Sequence, residues 1–399
     1  PQVDDSFGAA VACGDMDADG YDDAVVGAPG EAVDERRGSG VVHIFYGGPN
    51  GLGGQRDEMV SPATTGVRGK AEANDRFGAA VAVGDIDGDG FGDLAVGAPG
   101  ETLKGRAGAG AVTVIHGAAR GLDARRSRVV HQNIAGVPGK VEAGDAFGTT
   151  VLIGDTNGDG WAELYAAAPT EALGGRERVG MVIEIAGSPT GVDLAASRRF
   201  APGRAGIASK RVAGADFGLA LALGDIIGDG QIDLAVGAPG AGRSSGAVEV
   251  VPGSAEGVGG SGGVLLAPGR SLGVARERGA GFGSALAIGG DAGTAQALYV
   301  GVPGAADDGG AVMQIELGTG FAVRDSQVLS QDTPRVPGRT EEGDRLGAAL
   351  AVGDIDGDGR PDLFAGAPGE RLKGRARAGL VLLVPDVGAG FERARSLHQ

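Results

Sequence analysis

Aspartates recur in this chain at a spacing that suits a hard divalent cation. In the clearest instance Asp85, Asp87, Asp89 and Asp93 stand at positions 1, 3, 5 and 9 of D-x-D-x-D-G-x-x-D. Carboxylates this close repel unless a cation sits among them, and closely spaced oxygen ligands are how proteins hold calcium. Loop one carries Asp15, Asp17, Asp19 and Asp23, and loop three carries Asp155, Asn157, Asp159 and Glu163. Loop four has Asp225, Asp229 and Asp233, with Ile227 in place of the third ligand. Loop six has Asp354, Asp356, Asp358 and Asp362. Position seven would lend a backbone carbonyl, from Tyr21, Phe91, Trp161, Gln231 or Arg360. Four side chains and that carbonyl make five ligands. A bidentate carboxylate or a water would complete the six to eight oxygens calcium takes, whereas magnesium keeps more of its waters.

The expectation is four or five Ca²⁺ per chain, acting as structural clips on the hairpins that carry them. The plainer alternative is a set of metal-free acidic turns, and Ile227 in loop four cannot ligate. The segment GGDAGTAQALYVGVPG (289–304) keeps only Asp291 and is expected to bind none. An EF-hand does not fit. Its position twelve is a bidentate Glu, and here that place is held by Val26, Val96, Ala166, Val236 and Ala365.

The loops sit inside a long repeat. Its copies begin at Phe7, Phe77, Phe147, Phe217, Phe282 and Leu346, at intervals of 70, 70, 70, 65 and 64 residues. A fixed period of this length marks one supersecondary unit used repeatedly. In the second copy FGAAVAVGD (77–85), DLAVGAPG (93–100), GAVTVIHG (110–117) and RSRVVHQNI (126–134) read as four short strands. They are separated by Gly, Asp and Pro turns and show no helical periodicity. Four strands per repeat predict an all-β chain, a β-propeller of four-stranded blades. Small residues suit its crowded first two strands, and a polar fourth strand suits an outer edge. The repeats run at about 1–66, 67–136, 137–206, 207–271, 272–335 and 336–399, read as a single domain.

Composition narrows the function. Gly is 81 of 399 residues, placed at fixed points of each repeat and without the G-X-Y period of collagen. A net charge of −17 argues against nucleic acid or an anionic membrane as partner. No apolar run reaches 18 residues, so no membrane insertion is expected. The single cysteine, Cys13, takes the slot of Val83 and Ile153 and reads as a small core residue. Arginine far outnumbers lysine, 30 to 5, which points to a GC-rich genome such as an actinobacterium's. The chain opens PQVDDSFG, already at a repeat, as a processed or trimmed N-terminus does.

The combination of FG (7–8, 77–78, 147–148, 217–218, 282–283), an acidic loop, and GAP (27–29, 97–99, 237–239, 366–368) resembles the FG-GAP repeats of the integrin α-subunit propeller, here in a bacterial secreted form. Departures are AAP at 167–169, GVP at 301–303 and LG at 346–347. That family's propellers have seven blades, so seven is the alternative to the six repeats counted. The resemblance implies calcium loops on one face and partner binding on the other. The second face would be built from GETLKGRAGAG (100–110), TEALGGRERVG (170–180) and GERLKGRARAG (369–379), with GVPGKVEAGD (136–145) and GRTEEGD (338–344).

Those loops repeat a Glu and an Arg: Glu101 with Arg106, Glu171 with Arg176, Glu370 with Arg375. They read as an ordering ion pair in each blade, or else as a charged ring for a ligand. Partner binding is expected to involve Arg36, Arg37, Arg106, Arg176 and Arg243. Tyr21, Phe91 and Trp161 would cover the metal loops or stack on sugars. Four histidines, His43, His116, His131 and His398, lie beside no nucleophile motif, so the chain is read as no enzyme. The reading is an extracellular or cell-surface adhesion or recognition module with a protein or glycan ligand. The alternatives are a lectin component of a secreted assembly or a secreted hydrolase.

Overall fold

Alternating small and branched residues between glycine-rich turns fold here into antiparallel strands and little else. In the computed structural model, residues 4–52, 56–259, 262–290, 295–372, 374–375, 377–387, 391 and 393–398 are described. They form six four-stranded antiparallel sheets, each in simple sequence order. The chain is an all-β protein of six β-propeller blades. Among the described residues the six sheets match the six repeats counted in the sequence.

The blades fall into two compact units, Pro1–Ala201 and Pro202–Gln399. In the first unit blade one has strands Ala10–Gly14, Asp23–Ala28, Val41–Phe45 and Asp57–Val60. Blade two has Ala80–Gly84, Asp93–Ala98, Ala111–His116 and Asp123–Val130. Blade three has Thr150–Gly154, Glu163–Ala168, Met181–Ala186 and Asp193–Phe200. In the second unit blade four has Leu221–Gly224, Asp233–Gly237, Val248–Val251 and Val264–Leu266. Blade five has Leu286–Gly289, Ala297–Val302, Ala311–Gly318 and Ala322–Leu329. Blade six has Ala349–Gly353, Asp362–Ala367, Leu380–Val384 and Arg395–Leu397.

Within each unit, the motifs that open and close a repeat meet where neighbouring blades join, while Phe7, which opens the first unit, is 57% exposed. Phe77, Phe147, Phe217 and Phe282 are fully buried, as is Leu346, which replaces the Phe in blade six. Phe77 belongs to one buried cluster with Val42, Val81 and Val96, and Phe147 to another with Val112, Leu164 and Ile183. Burying a side chain of this size stabilises by roughly 1.5–3 kcal/mol, and any large apolar residue that fills the space suffices. The Gly after it donates to the second strand of its own blade, Gly78 N to Gly97 O at 3.1 Å and Gly148 N to Ala167 O at 2.9 Å. Its carbonyl presses on the previous blade. A Cβ on Gly27 would lie 2.0 Å from Gly78 O, and one on Gly97 2.0 Å from Gly148 O. The same contact joins Gly237 to Gly283 O and Gly301 to Gly347 O, at 2.1 Å each.

Two expectations about strands change. The fourth strand of blade two is Asp123–Val130 rather than 126–134. His131 O accepts from Ile134 N, so the chain turns there, and Gln132 leaves the sheet. The matching segment VLSQ (328–331) of blade five likewise leaves its strand after Leu329, and Gln399, which ends SLHQ (396–399), lies outside the described residues. Cys13 is exposed rather than core. Within the first unit blade two's first strand packs between those of blades one and three, whereas blade one's has such a neighbour only in blade two.

Candidate metal loops and the opposite loop face

Each acidic loop is the hairpin between the first and second strands of its blade. Its fold follows from side chains that accept from their own backbone. Asp85 Oδ1 accepts from the Gly88 and Asp89 amides at 2.7 and 3.2 Å, and Oδ2 from Gly90 at 2.8 Å. Asp89 accepts from Phe91 N at 3.1 Å. Asp15 with Asp19, Asp155 with Asp159, Asp225 with Asp229, and Asp354 with Asp358 repeat this pattern. The intervening glycines, such as Gly90 at φ +87° and Gly160 at φ +87°, take a left-handed turn that side-chain-bearing residues disfavour.

Position nine is a buried staple. Asp93 accepts from Ile86 N at 3.0 Å and from Gly117 N, just past the third strand, at 2.9 Å. Asp23 does the same with Met16 and Gly47, Asp233 with Ile226 and Gly253, and Asp362 with Ile355 and Asp386. Glu163 accepts from the Thr156 amide and hydroxyl. Burial raises the carboxyl pKa of Asp23 and Glu163 above the ordinary carboxylate range, and that of Asp233 to about 6, with the backbone bonds working against it. Each carboxylate oxygen has two lone pairs, so these bonds leave capacity for a cation.

The donor set suits a hard cation in three loops. Among the described residues, ligand oxygens converge within 4.8 Å for Asp15, Asp17 and Asp19; for Asp85, Asp87 and Asp89; and for Asp354, Asp356 and Asp362. Asp17 Oδ1 and Asp87 Oδ1 are buried without a hydrogen-bond partner, an orphaned state that a cation would relieve. An arginine supplies positive charge at each of these loops. Arg56 bonds Asp17 at 2.9 Å, Arg126 bonds Asp87, and Arg360 bonds Asp358. Hydrogen bonds from Arg360 lower the pKa of the Asp358 carboxyl. No triple of acidic or histidine ligands converges in loops three and four among the described residues. Asp291 lies outside the described residues. Trp161 lies over loop two, where a Cβ on Gly88 would come within 2.8 Å of its indole. Tyr21, by contrast, is 43% exposed.

The loops between second and third strands lie at the other end of each blade. In four of them a short antiparallel bridge closes the tip: Val33 with Arg36, Leu103 with Arg106, Leu173 with Arg176 and Leu372 with Arg375. The expected Glu–Arg ion pairs are absent there among the described residues. The bridge uses the Arg backbone and leaves its side chain in solvent, while the Glu turns inward. Glu171 and Glu370 are buried and accept from Gln132 and Gln331 at 2.8 and 2.6 Å. The glutamines gave no sign in sequence beyond their repeated place after the fourth strand.

His116 is the other residue missed as a site. It ends the third strand of blade two and lies 3.2 Å from Asp87 and 3.1 Å from Asp93. Its position next to Gly117, the staple partner of Asp93, was the available signal.

Five of the blades carry an acidic first hairpin, and Phe77, Phe147, Phe217 and Phe282 are buried FG aromatics. The FG-GAP repeat family matches residues 7–45, 77–115, 147–183 and 346–384. The repeats at Phe217 and Phe282 lie outside those stretches yet fold into the same four-stranded sheet. Over those four stretches the chain matches the FG-GAP repeat. It is similar to integrin alpha-PS2 of Drosophila melanogaster, 35% identical over 145 residues, covering 34% of this chain and 10% of that protein. It is similar to integrin alpha-5 of Xenopus laevis, 33% over 173 residues, 42% of this chain and 15% of that one. Phosphatidylinositol-glycan-specific phospholipase D of Bos taurus is 34% identical over 176 residues, 43% of this chain and 20% of the enzyme. The matches thus span a fifth or less of these relatives' length. No helix among the described residues is long and apolar enough to cross a membrane.

Proposed function

We propose that the chain is an extracellular or cell-surface recognition module, clipped by calcium at one end of its blades and binding a protein or glycan partner at the other. The observation that carries this reading is the contrast between the two ends of a blade. The acidic hairpins keep one geometry from blade to blade. The opposite loops vary, from bridged tips bearing exposed arginines to the short turns at 241–244 and 305–308. A surface that differs from blade to blade can select one partner.

Calcium would be held by Asp15, Asp17, Asp19 and Asp23; by Asp85, Asp87, Asp89 and Asp93; by Asp155, Asn157, Asp159 and Glu163; by Asp225, Asp229 and Asp233; and by Asp354, Asp356, Asp358 and Asp362. The carbonyls of Tyr21, Phe91, Trp161, Gln231 and Arg360 would complete the shells. Bound calcium would neutralise these carboxylates and tie down the hairpin that carries them. The integrin relatives support an extracellular place and a protein ligand. The bovine relative's name supports the glycan form of partner, as a lectin component of a secreted assembly would use. A hydrolase needs a reacting pair. Here His43 bonds Glu31 at 2.9 Å, His116 sits between two aspartates, and His131 accepts from the Asn133 amide. None of the three has a described bond to a serine or cysteine, and we read the chain as non-enzymatic.

The test is a glycan array and an array of extracellular proteins, probed with the calcium-loaded chain and with an R106E/R176E variant. Hits lost in the variant, with an unchanged melt, support the assignment. Hits that survive, or a co-structure placing the partner on the acidic hairpins, overturn it.

A further inference from the structure

Loop two differs from its sisters through one residue outside it. His116 holds the place of Tyr46 in blade one, Ala186 in blade three, Pro252 in blade four and Pro385 in blade six. Its Nδ1 lies 3.1 Å from Asp93 Oδ1 and 3.2 Å from Asp87 Oδ2, and makes no well-aligned hydrogen bond to either. Side-chain exposures are 5% for His116, 2% for Asp87 and 0% for Asp93. One ligand atom from each lies within 4.8 Å of the others, and Asp87 Oδ1 is buried without a partner. Two buried carboxylates and an imidazole nitrogen therefore point into one place; Gly117 N holds Asp93 Oδ1 and Arg126 holds Asp87 Oδ2, and His116 Nδ1 is left without a partner.

We propose that His116, Asp87 and Asp93 form a three-ligand site for a borderline divalent metal, with zinc the best fit. Ligands about 2.0–2.1 Å from a tetrahedral zinc lie about 3.3 Å apart, close to the two separations measured here. An imidazole donor and a low protein-ligand count favour zinc over calcium, which takes six to eight oxygens. The surroundings fix the ligands. Asp93 is held by the Ile86 and Gly117 amides. The Nε2 edge of His116 lies against Gly191, where a Cβ would come within 2.7 Å. Bonds such as those the two amides make to Asp93 orient metal ligands.

His116 also lines a cavity of about 460 Å³ together with Arg68, Arg125, Arg126, Arg128 and Thr190, among others. Arg126 bonds Asp87 and stands 3.4 Å from Asp89. Its side chain is 41% exposed, free enough to move to Asp89 when a metal takes Asp87. Asp87 and Asp93 also belong to the calcium loop proposed above, so the two metals compete at blade two. The zinc site does not depend on calcium binding there.

The test uses the whole chain, stripped with chelator and titrated with Zn²⁺ by calorimetry, beside H116A and H116Q. One Zn²⁺ per chain is expected, weakened by at least about 100-fold in both variants, while calcium titration of the variants keeps its stoichiometry. Co²⁺ serves as a second probe that needs no variant. The cobalt form should show one hyperfine-shifted, solvent-exchangeable imidazole N–H proton. Absence of stoichiometric Zn²⁺ binding, equal affinity in both variants, or a cobalt form without that resonance overturns the proposal. A chain that binds zinc and no calcium would sink the calcium reading and leave this one standing.

Discussion

Gln132 of blade two donates to Glu171 of blade three at 2.8 Å, and the bond recurs as Gln331 to Glu370 between blades five and six. It replaces the ion pair that the Glu and Arg of each loop suggest. Burial pushes the Glu171 carboxyl up to about 7, Asp145 and Glu142 adding to the shift and Gln132 opposing it. Burial likewise pushes Glu101 up to about 7, and no glutamine stands at the corresponding place in blade one, where Pro62 is found.

Stability should therefore fall as pH rises from about 4.5 to about 7. A carboxyl whose folded pKa lies above its unfolded one favours folding below the unfolded value and loses that contribution through the folded value. For Glu171 the span from 4.5 to about 7 is worth on the order of 3 kcal/mol. Glu171→Gln keeps an acceptor for Gln132, so at pH 8 it should match or exceed the parent's stability, with a flatter slope between pH 4.5 and 7. Melts at fixed calcium check this, and an unchanged slope refutes it.

Calcium titration should give four or five sites per chain, at the loops starting Asp15, Asp85, Asp155, Asp225 and Asp354. Fewer than three sites would end the calcium reading.

Each filled site should stabilise by about 2.7 kcal/mol at a hundredfold excess over its Kd. Asp17→Ala should remove one such gain in millimolar calcium. In EDTA the same change should be neutral or stabilising, because it deletes a buried carboxylate with an orphaned oxygen. A variant that lowers the melt equally in both conditions contradicts the role given to Asp17.

Gly97→Ala should cost roughly 1–3 kcal/mol by overpacking, since its Cβ would meet Gly148 O at 2.0 Å. Gly366→Ala is the control. Its nearest contact would be Ala349 at 3.6 Å, ordinary van der Waals distance, and its melt should barely move. Equal effects at the two glycines would remove the joint from the explanation of the GAP motif.

The sheets and hairpins were legible because they depend on local spacing. Strand alternation, Gly and Asp turns and the period of the FG motif are all written within a few residues. What was hidden depends on strands brought side by side. His116 reaches Asp93 only because the third strand ends beside the second. Gln132 reaches Glu171 only across a blade boundary. Glu171 and Arg176 look like partners in sequence, but the tip turns one inward and the other out. Cys13 shares a slot with Val83, yet the slot's burial is set by neighbouring blades and not by the slot.

The joint between successive blades is made at its tightest point by main-chain atoms, a carbonyl lying on a glycine that has no side chain to clash. Contacts of that kind do not ask for matched pairs of side chains. A duplicated blade carrying its own FG and GAP glycines would therefore meet its neighbour correctly at once. Such a joint lets gene duplication lengthen or replace an array before its surfaces have diverged.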